Sequence, residues 1–163
     1  MRSELWTLLL QRVPLTRTLG VEVEEASPSL VRLGFPLKPN LNRQKTAFGG
    51  SLYAAAVLAG WSLLWCVLKE KRLGDADIVI ASSGERFVRP VSGRFVAECS
   101  APRGTFDLGI KTLRHRGMAR ADLETEVLCD SKPCLYFKGT YGLIRKRTEK
   151  YPGNSNLIHP FDV

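Results

Sequence analysis

Two stretches of this 163-residue chain combine residue types suited to handling a ligand. The first, Asn42-Arg-Gln-Lys-Thr46-Ala-Phe48-Gly49-Gly50-Ser51-Leu-Tyr53, is a polar loop that runs straight into an apolar segment. Paired glycines let backbone N–H groups approach a ligand closely, and a helix that begins there carries unpaired amide donors at its positive end. Ser51 is read as the N-cap of that helix. The second stretch, Ile78 to Pro90, is β-rich but polar in its middle, at Ser82-Ser83-Gly84-Glu85, and Gly84 is read as a bulge or a close backbone approach. Twenty-four basic against sixteen acidic residues leave a net charge of +8. That balance favours anionic partners such as nucleic acid, acidic headgroups or phosphorylated cofactors, without choosing among them. The two histidines, His115 and His159, lie near no cluster of metal-ligand spacing, so no metal is expected. Cys66, Cys99, Cys129 and Cys134 show no C-x-x-C spacing, and are read as reduced thiols of a cytoplasmic protein, acting mostly as small hydrophobes.

These groups need elements to hold them. Tyr53 to Leu68 carries no charge and no proline, and is closed by Lys69, Glu70, Lys71 and Arg72. A helix that is apolar all round must be enclosed, and this run is short of the ~20 residues a bilayer requires, so it reads as a buried central helix and not a membrane span. Before it, Ser3-Glu4 with Leu5, Leu8, Leu9 and Val13 reads as a short helix with Ser3 as cap, stopped by Pro14. It shows no signal-peptide pattern. Leu19 to Glu25 and Val31 to Leu37 alternate apolar and polar positions around Ser27-Pro28-Ser29, the pattern of a hairpin. After the central helix come strands near Ile78–Pro90, Arg94–Ala101, Ala119–Val127 and Cys134–Arg145, with a short helix within Pro102–Gly117. The fold class is therefore α+β, a six-stranded antiparallel sheet wrapped around one buried helix. Residues 1–147 form one domain, with a helical segment at 1–18 and a core at 19–147, followed by a loop-like tail at 148–163. Open sheet edges make a homodimer, or a dimer of dimers, the expected assembly.

This arrangement resembles the hotdog fold. The run Asn42 to Gly50 is similar to the asparagine, threonine, His-Gly-Gly loop that opens the central helix in acyl-CoA thioesterases of the phenylacetate-pathway type, and Phe87-Val-Arg-Pro90 resembles the Phe-x-x-Pro that ends the third strand. More narrowly, Thr46-Ala-Phe-Gly-Gly-Ser-Leu-Tyr-Ala, Ala59-Gly-Trp61 and Asp77-Ile-Val-Ile-Ala81 are similar to the YiiD C-terminal-domain family.

The resemblance implies hydrolysis of an acyl thioester carried by coenzyme A or an acyl carrier protein. Coenzyme A enters only as part of the substrate, and no cofactor is needed. Negative charge then develops on the carbonyl oxygen, and Gly50 is the expected amide donor, beside Thr46, Phe48 and Gly49. Asn42 would orient the water or the thioester. Two positions depart from the pattern: Val57 stands where the phenylacetate-type enzymes carry a catalytic carboxylate, and Phe48 where they carry histidine. The remaining candidates to activate water are Ser82, Ser83 and Glu85 on the third strand, with Ser51 and Tyr53 in the first helical turn. Each has a plainer reading: a cap for Ser51, a surface hydrogen bond for Tyr53, an ion pair with Arg86 or Arg89 for Glu85. Arg86, Arg89, Lys111, Arg114 and Arg116 are candidates for the phosphates of coenzyme A, and Trp61, Leu64, Trp65 and Phe106 for an acyl channel. The alternative is a binding module of the same fold that holds the thioester without cleaving it. Nucleic-acid binding would rest on charge and on Lys138-Gly-Thr-Tyr-Gly-Leu-Ile alone, which lacks the aromatic pattern of an RNA-recognition strand, so it is not expected.

Overall fold

A computed structural model describes residues 1–145. The expected tail at 148–163 lies outside the described residues. Six strands, β1 (Glu22–Ala26), β2 (Leu30–Phe35), β3 (Ala76–Phe87), β4 (Phe95–Ser100), β5 (Met118–Cys129) and β6 (Lys132–Arg145), form one antiparallel sheet in the order β1-β2-β4-β5-β6-β3. The β1–β2 hairpin forms as its alternation predicts. Among the described residues β3 pairs only with β6, which leaves it at the edge of the sheet.

Alternation fixes which face is inside. On β5, Ala121, Leu123, Thr125 and Val127 are buried while Asp122, Glu124 and Glu126 are exposed, so a one-residue slip would turn the charged set inward. The inner face is covered by α3 (Gly49–Glu70), whose buried residues include Leu52, Ala55, Ala56, Leu63 and Leu64. This burial accounts for the apolarity of the helix. Its start corrects the expected cap. Phe48 occupies the N-cap position, and Ser51 is the third residue of the helix, with its N–H already bonded to Phe48 O.

Two side chains pin the helix to the sheet. The Tyr141 hydroxyl of β6 donates to Val57 O at 3.0 Å, and the Trp61 indole N–H donates to Ile78 O at 3.2 Å. Gly60 makes the first contact possible, because a Cβ there would fall on the Tyr141 hydroxyl and lie 2.9 Å from its Cζ.

The smaller helices close the ends. α1 (Arg2–Arg12) buries Leu5 and Leu9, and α2 (Leu15–Leu19) begins at the N-capping Pro14 that ends the first helix. Met1 caps α1, so Ser3 lies inside it and is not the cap. Glu4 pairs with Lys69, which ties α1 to the C-terminal end of α3. α4 (Asp107–Arg116) docks at that same end, through Lys71–Asp107 at 2.9 Å and the Arg114 guanidinium on Lys71 O at 3.0 Å. The β3 bulge falls between Ile80 and Ser82, whereas Gly84 pairs regularly with Lys138. The result is the single sheet around one helix that the hotdog resemblance implies.

Candidate active site at the start of the central helix

Residues 40–48 form a closed loop that delivers Gly49 and Gly50 to the surface. Phe48 N–H donates to Asn40 O at 2.7 Å, and Ala47 N–H donates to Val91 O at 2.8 Å, which straps the loop to the segment after Phe87-Val-Arg-Pro90. Inside the loop Asn42 does most of the shaping. Its Nδ2 donates to Thr46 Oγ1 and Ala47 O, and its Oδ1 accepts from Gln44 N–H and Thr46 N–H. Every polar atom of that side chain is thus engaged within the loop, so Asn42 holds Thr46 and the approach to the helix in place and has no hydrogen-bonding atom left over.

The first helical amides bonded to protein are those of Ser51 and Leu52, both to Phe48 O. Gly49 and Gly50 N–H donate to no acceptor among the described residues. Unpaired donors at the positive end of a helix ~33 Å long form a preorganised site for negative charge. Two exposed aromatic rings flank them. Phe48, 58% exposed, lies over the Cα of Gly50, and Phe87, 51% exposed, faces Gly49. Beside Gly49 opens a hollow of about 430 Å³ lined by Ala47, Leu52, Phe87, Arg89, Pro90 and Val91 among others.

β3 brings further groups to the same end of α3. The Tyr53 hydroxyl and Ser83 Oγ are 3.0 Å apart, which puts Ser83 on the helix-facing side of the strand, and Tyr53 meets Phe137 edge-on. Residues two apart on a strand share a face, so Glu85 lies on that side too, in register with Phe137. It is exposed, and its carboxylate makes no ion pair with Arg86, Arg89 or any other described residue.

The structure therefore gathers Asn42, Thr46, Phe48, Gly49, Gly50, Tyr53, Ser83, Glu85 and Arg89 around one end of the helix. It separates the others. Arg86 lies on the opposite face of the sheet with its guanidinium over the Tyr136 ring, and Ser82 shares that face, in register with Thr140. Lys111, Arg114 and Arg116 are on α4, at the far end of α3 within the same chain. Ser51 is buried, and His115 is also on α4, so among the described residues no histidine stands beside Ser51 to act as base. Of the expected channel residues, Trp61 and Trp65 are half-buried along α3, whereas Leu64 is core.

The buried thiols take no part. Burial pushes Cys66 up to about 12 and Cys99 up to about 11, so both stay protonated at neutral pH. The exposed rings of Phe48 and Phe87 as walls of the site, and the Ala47–Val91 strap behind it, left no periodic signal in the sequence.

Comparison with known proteins gives one family. The family model described as "Putative thioesterase (yiiD_Cterm)" matches residues 2–145. Among solved structures, a protein of unknown function from Chlorobaculum tepidum is 29% identical, with a TM-score of 0.84 over 89% of this chain and 94% of its own. A putative thioesterase from Shewanella oneidensis is 25% identical, with a TM-score of 0.78 over 89% and 97%. A Haemophilus influenzae thioesterase, 15% identical, shares the fold, with a TM-score of 0.71 over 93% and 95%.

Proposed function

The chain belongs to the YiiD C-terminal-domain thioesterase family, and on that premise we propose that it hydrolyses an acyl thioester, carried by coenzyme A or an acyl carrier protein, at the N-terminus of α3. The observation that carries this reading is the pair of unpaired amides at Gly49 and Gly50, at the head of an otherwise buried helix and beside an open hollow that Gly49 lines. In the reaction a water oxygen attacks the carbonyl carbon and the carbonyl oxygen takes up negative charge against those amides. Collapse breaks the C–S bond, the thiolate leaves and is protonated by the proton that water gave up, and the acid is released. Arg89, at the rim of the hollow, suits the polar, phosphate-bearing end of the carrier.

Glu85 is the base of this proposal. It is the carboxylate on the helix-facing side of β3 that pairs with no described residue, and Tyr53 with Ser83 stands beside it. A second copy of the chain completes the site. Support for a homodimer, or a dimer of dimers, comes from the free edge of β3 and from the half-buried apolar residues Ala54, Val57, Trp61 and Trp65 along the uncovered side of α3.

A second reading, a module that binds an acyl thioester without cleaving it, is favoured by Val57 and Phe48, which replace the carboxylate and histidine of the phenylacetate-type enzymes. Thiol release from a panel of acyl-CoA esters separates the two. Turnover well above buffer, lost in Glu85→Gln, supports the hydrolase. Tight calorimetric binding with the ester recovered intact supports the module, and neither turnover nor binding overturns both.

A further inference from the structure

The two sides of the helix start differ in chemistry. Towards the hollow stands the cation Arg89, whereas down the helix from Gly50 the surface is apolar. Gly50, Ala54, Val57 and Trp61 follow one another at spacings of four, three and four residues, which places them on one line along α3. The first three are small or short. The fourth is a half-buried indole whose N–H is bonded to Ile78 O at 3.2 Å, so it cannot swing aside without losing that bond to β3.

Resting on the acyl-thioester reading above, we infer that Trp61 is the length stop of the acyl site, so that the substrates are esters of short to medium acyl chains. A carbonyl held at Gly50 sends its polar carrier past Arg89 and its hydrocarbon chain over Ala54 and Val57 until it meets the indole. Gly50 and Trp61 are separated by a rise of ~16 Å along the helix, and a helical side chain leans about one turn towards the N-terminus, which leaves ~11 Å. Extended hydrocarbon advances about 1.3 Å per carbon, so the free length holds about eight carbons. Trp65 lies ~6 Å further on, on nearly the same line, and provides the next wall if the first is removed. A second copy of the chain lying over this lane covers it without changing its length.

The test is kcat/KM for saturated acyl-CoA esters from about two to about sixteen carbons, in the unmodified protein, Trp61→Ala, Trp61→Phe and Val57→Phe. The unmodified protein loses at least about tenfold beyond about eight to ten carbons. Trp61→Ala moves that fall outward by about four to five carbons, the distance to Trp65. Trp61→Phe, which keeps an aromatic wall, moves it by no more than about two. Val57→Phe moves it inward by about three to four carbons, and guards against a fold lost with the indole because it fills space instead of emptying it. A protein that cleaves short esters but whose long-to-short ratio does not change in Trp61→Ala or Val57→Phe overturns the length stop and leaves the hydrolase standing. If no ester is cleaved the hydrolase reading falls, and the same series is read as the Kd of intact acyl-CoA. Shifts of the same sense then support the stop, and flat or absent binding overturns it.

Discussion

Gly50→Pro removes one amide hydrogen while sparing the helix that carries it. Gly50 is the second residue of α3, and its N–H donates to no acceptor among the described residues, so no helical bond is lost. The usual clash of a proline ring with the carbonyl four residues earlier falls on Thr46, which is loop and not helix. The residue before it, Gly49, has no Cβ to strike the ring, which leaves only its own N–H facing the proline Cδ. What a new Cβ does meet is the Phe48 ring: it would fall on Cε1 and lie 3.0 Å from Cδ1 and 3.1 Å from Cζ, so the ring must shift, and it is 58% exposed. The expected stability change is therefore below about 1 kcal/mol, in line with proline in a first helical turn. The expected loss in kcat is about 10²–10³-fold, or ~3–4 kcal/mol, the effect of deleting one preorganised donor to an oxyanion. Gly50→Ala is the control, because it displaces the same ring and keeps the N–H. Both proteins would be assayed for thiol release from the best acyl-CoA ester, with thermal unfolding measured alongside. Equal rates, within about threefold, in two folded variants would refute the argument that this amide stabilises the transition state.

Asn42→Ala removes four hydrogen bonds that close the loop before α3, and is expected to cost about 1–3 kcal/mol of stability together with a fall in kcat. An unchanged denaturation midpoint would show that the loop holds its shape without them. Gly60→Ala drives a Cβ into the buried Tyr141 ring, so urea titration should record a loss of about 1–3 kcal/mol despite the better helix propensity of alanine. Tyr141→Phe, which removes the hydroxyl, should recover part of that loss in the double variant, and strict additivity would contradict the clash. For Cys66 and Cys99 the folded state raises the thiol above its ordinary 9.0, to about 12 and about 11. Their stabilisation is therefore complete below pH 9 and is lost as pH climbs from 9 towards those values. A urea midpoint that stays level from pH 9 to pH 11 would refute this. At neutral pH the half-buried Cys129 should be alkylated before the three buried thiols.

Much of this molecule is legible in the order of its residues, for a local reason. Alternation on β5 names its buried face, uninterrupted apolarity names α3 as the enclosed helix, and Pro14 and Gly49-Gly50 mark where helices stop and start, because each signal depends on neighbours a few residues apart. The cap of α3 is already less legible. A serine after two glycines satisfies every local rule for an N-cap, yet the strap from Ala47 to Val91 and the bond from Phe48 to Asn40 start the helix three residues earlier.

The site itself was decided by tertiary structure. Nothing local distinguishes Arg89 from Arg86, yet Arg86 points to the outer face of β3 and stacks on Tyr136, whereas Arg89 follows the end of the strand, in the bend that brings it beside Gly49. Lys111 and Arg114 share the charge of Arg89, but α4 docks at the far end of α3. The partners of Tyr53 and Trp61 are residues of β3 that follow them in sequence only after the chain has turned back, so their distances follow from strand pairing and packing. Composition and spacing specify elements and faces, whereas the meeting of groups from separate elements depends on how those elements close around one shared core.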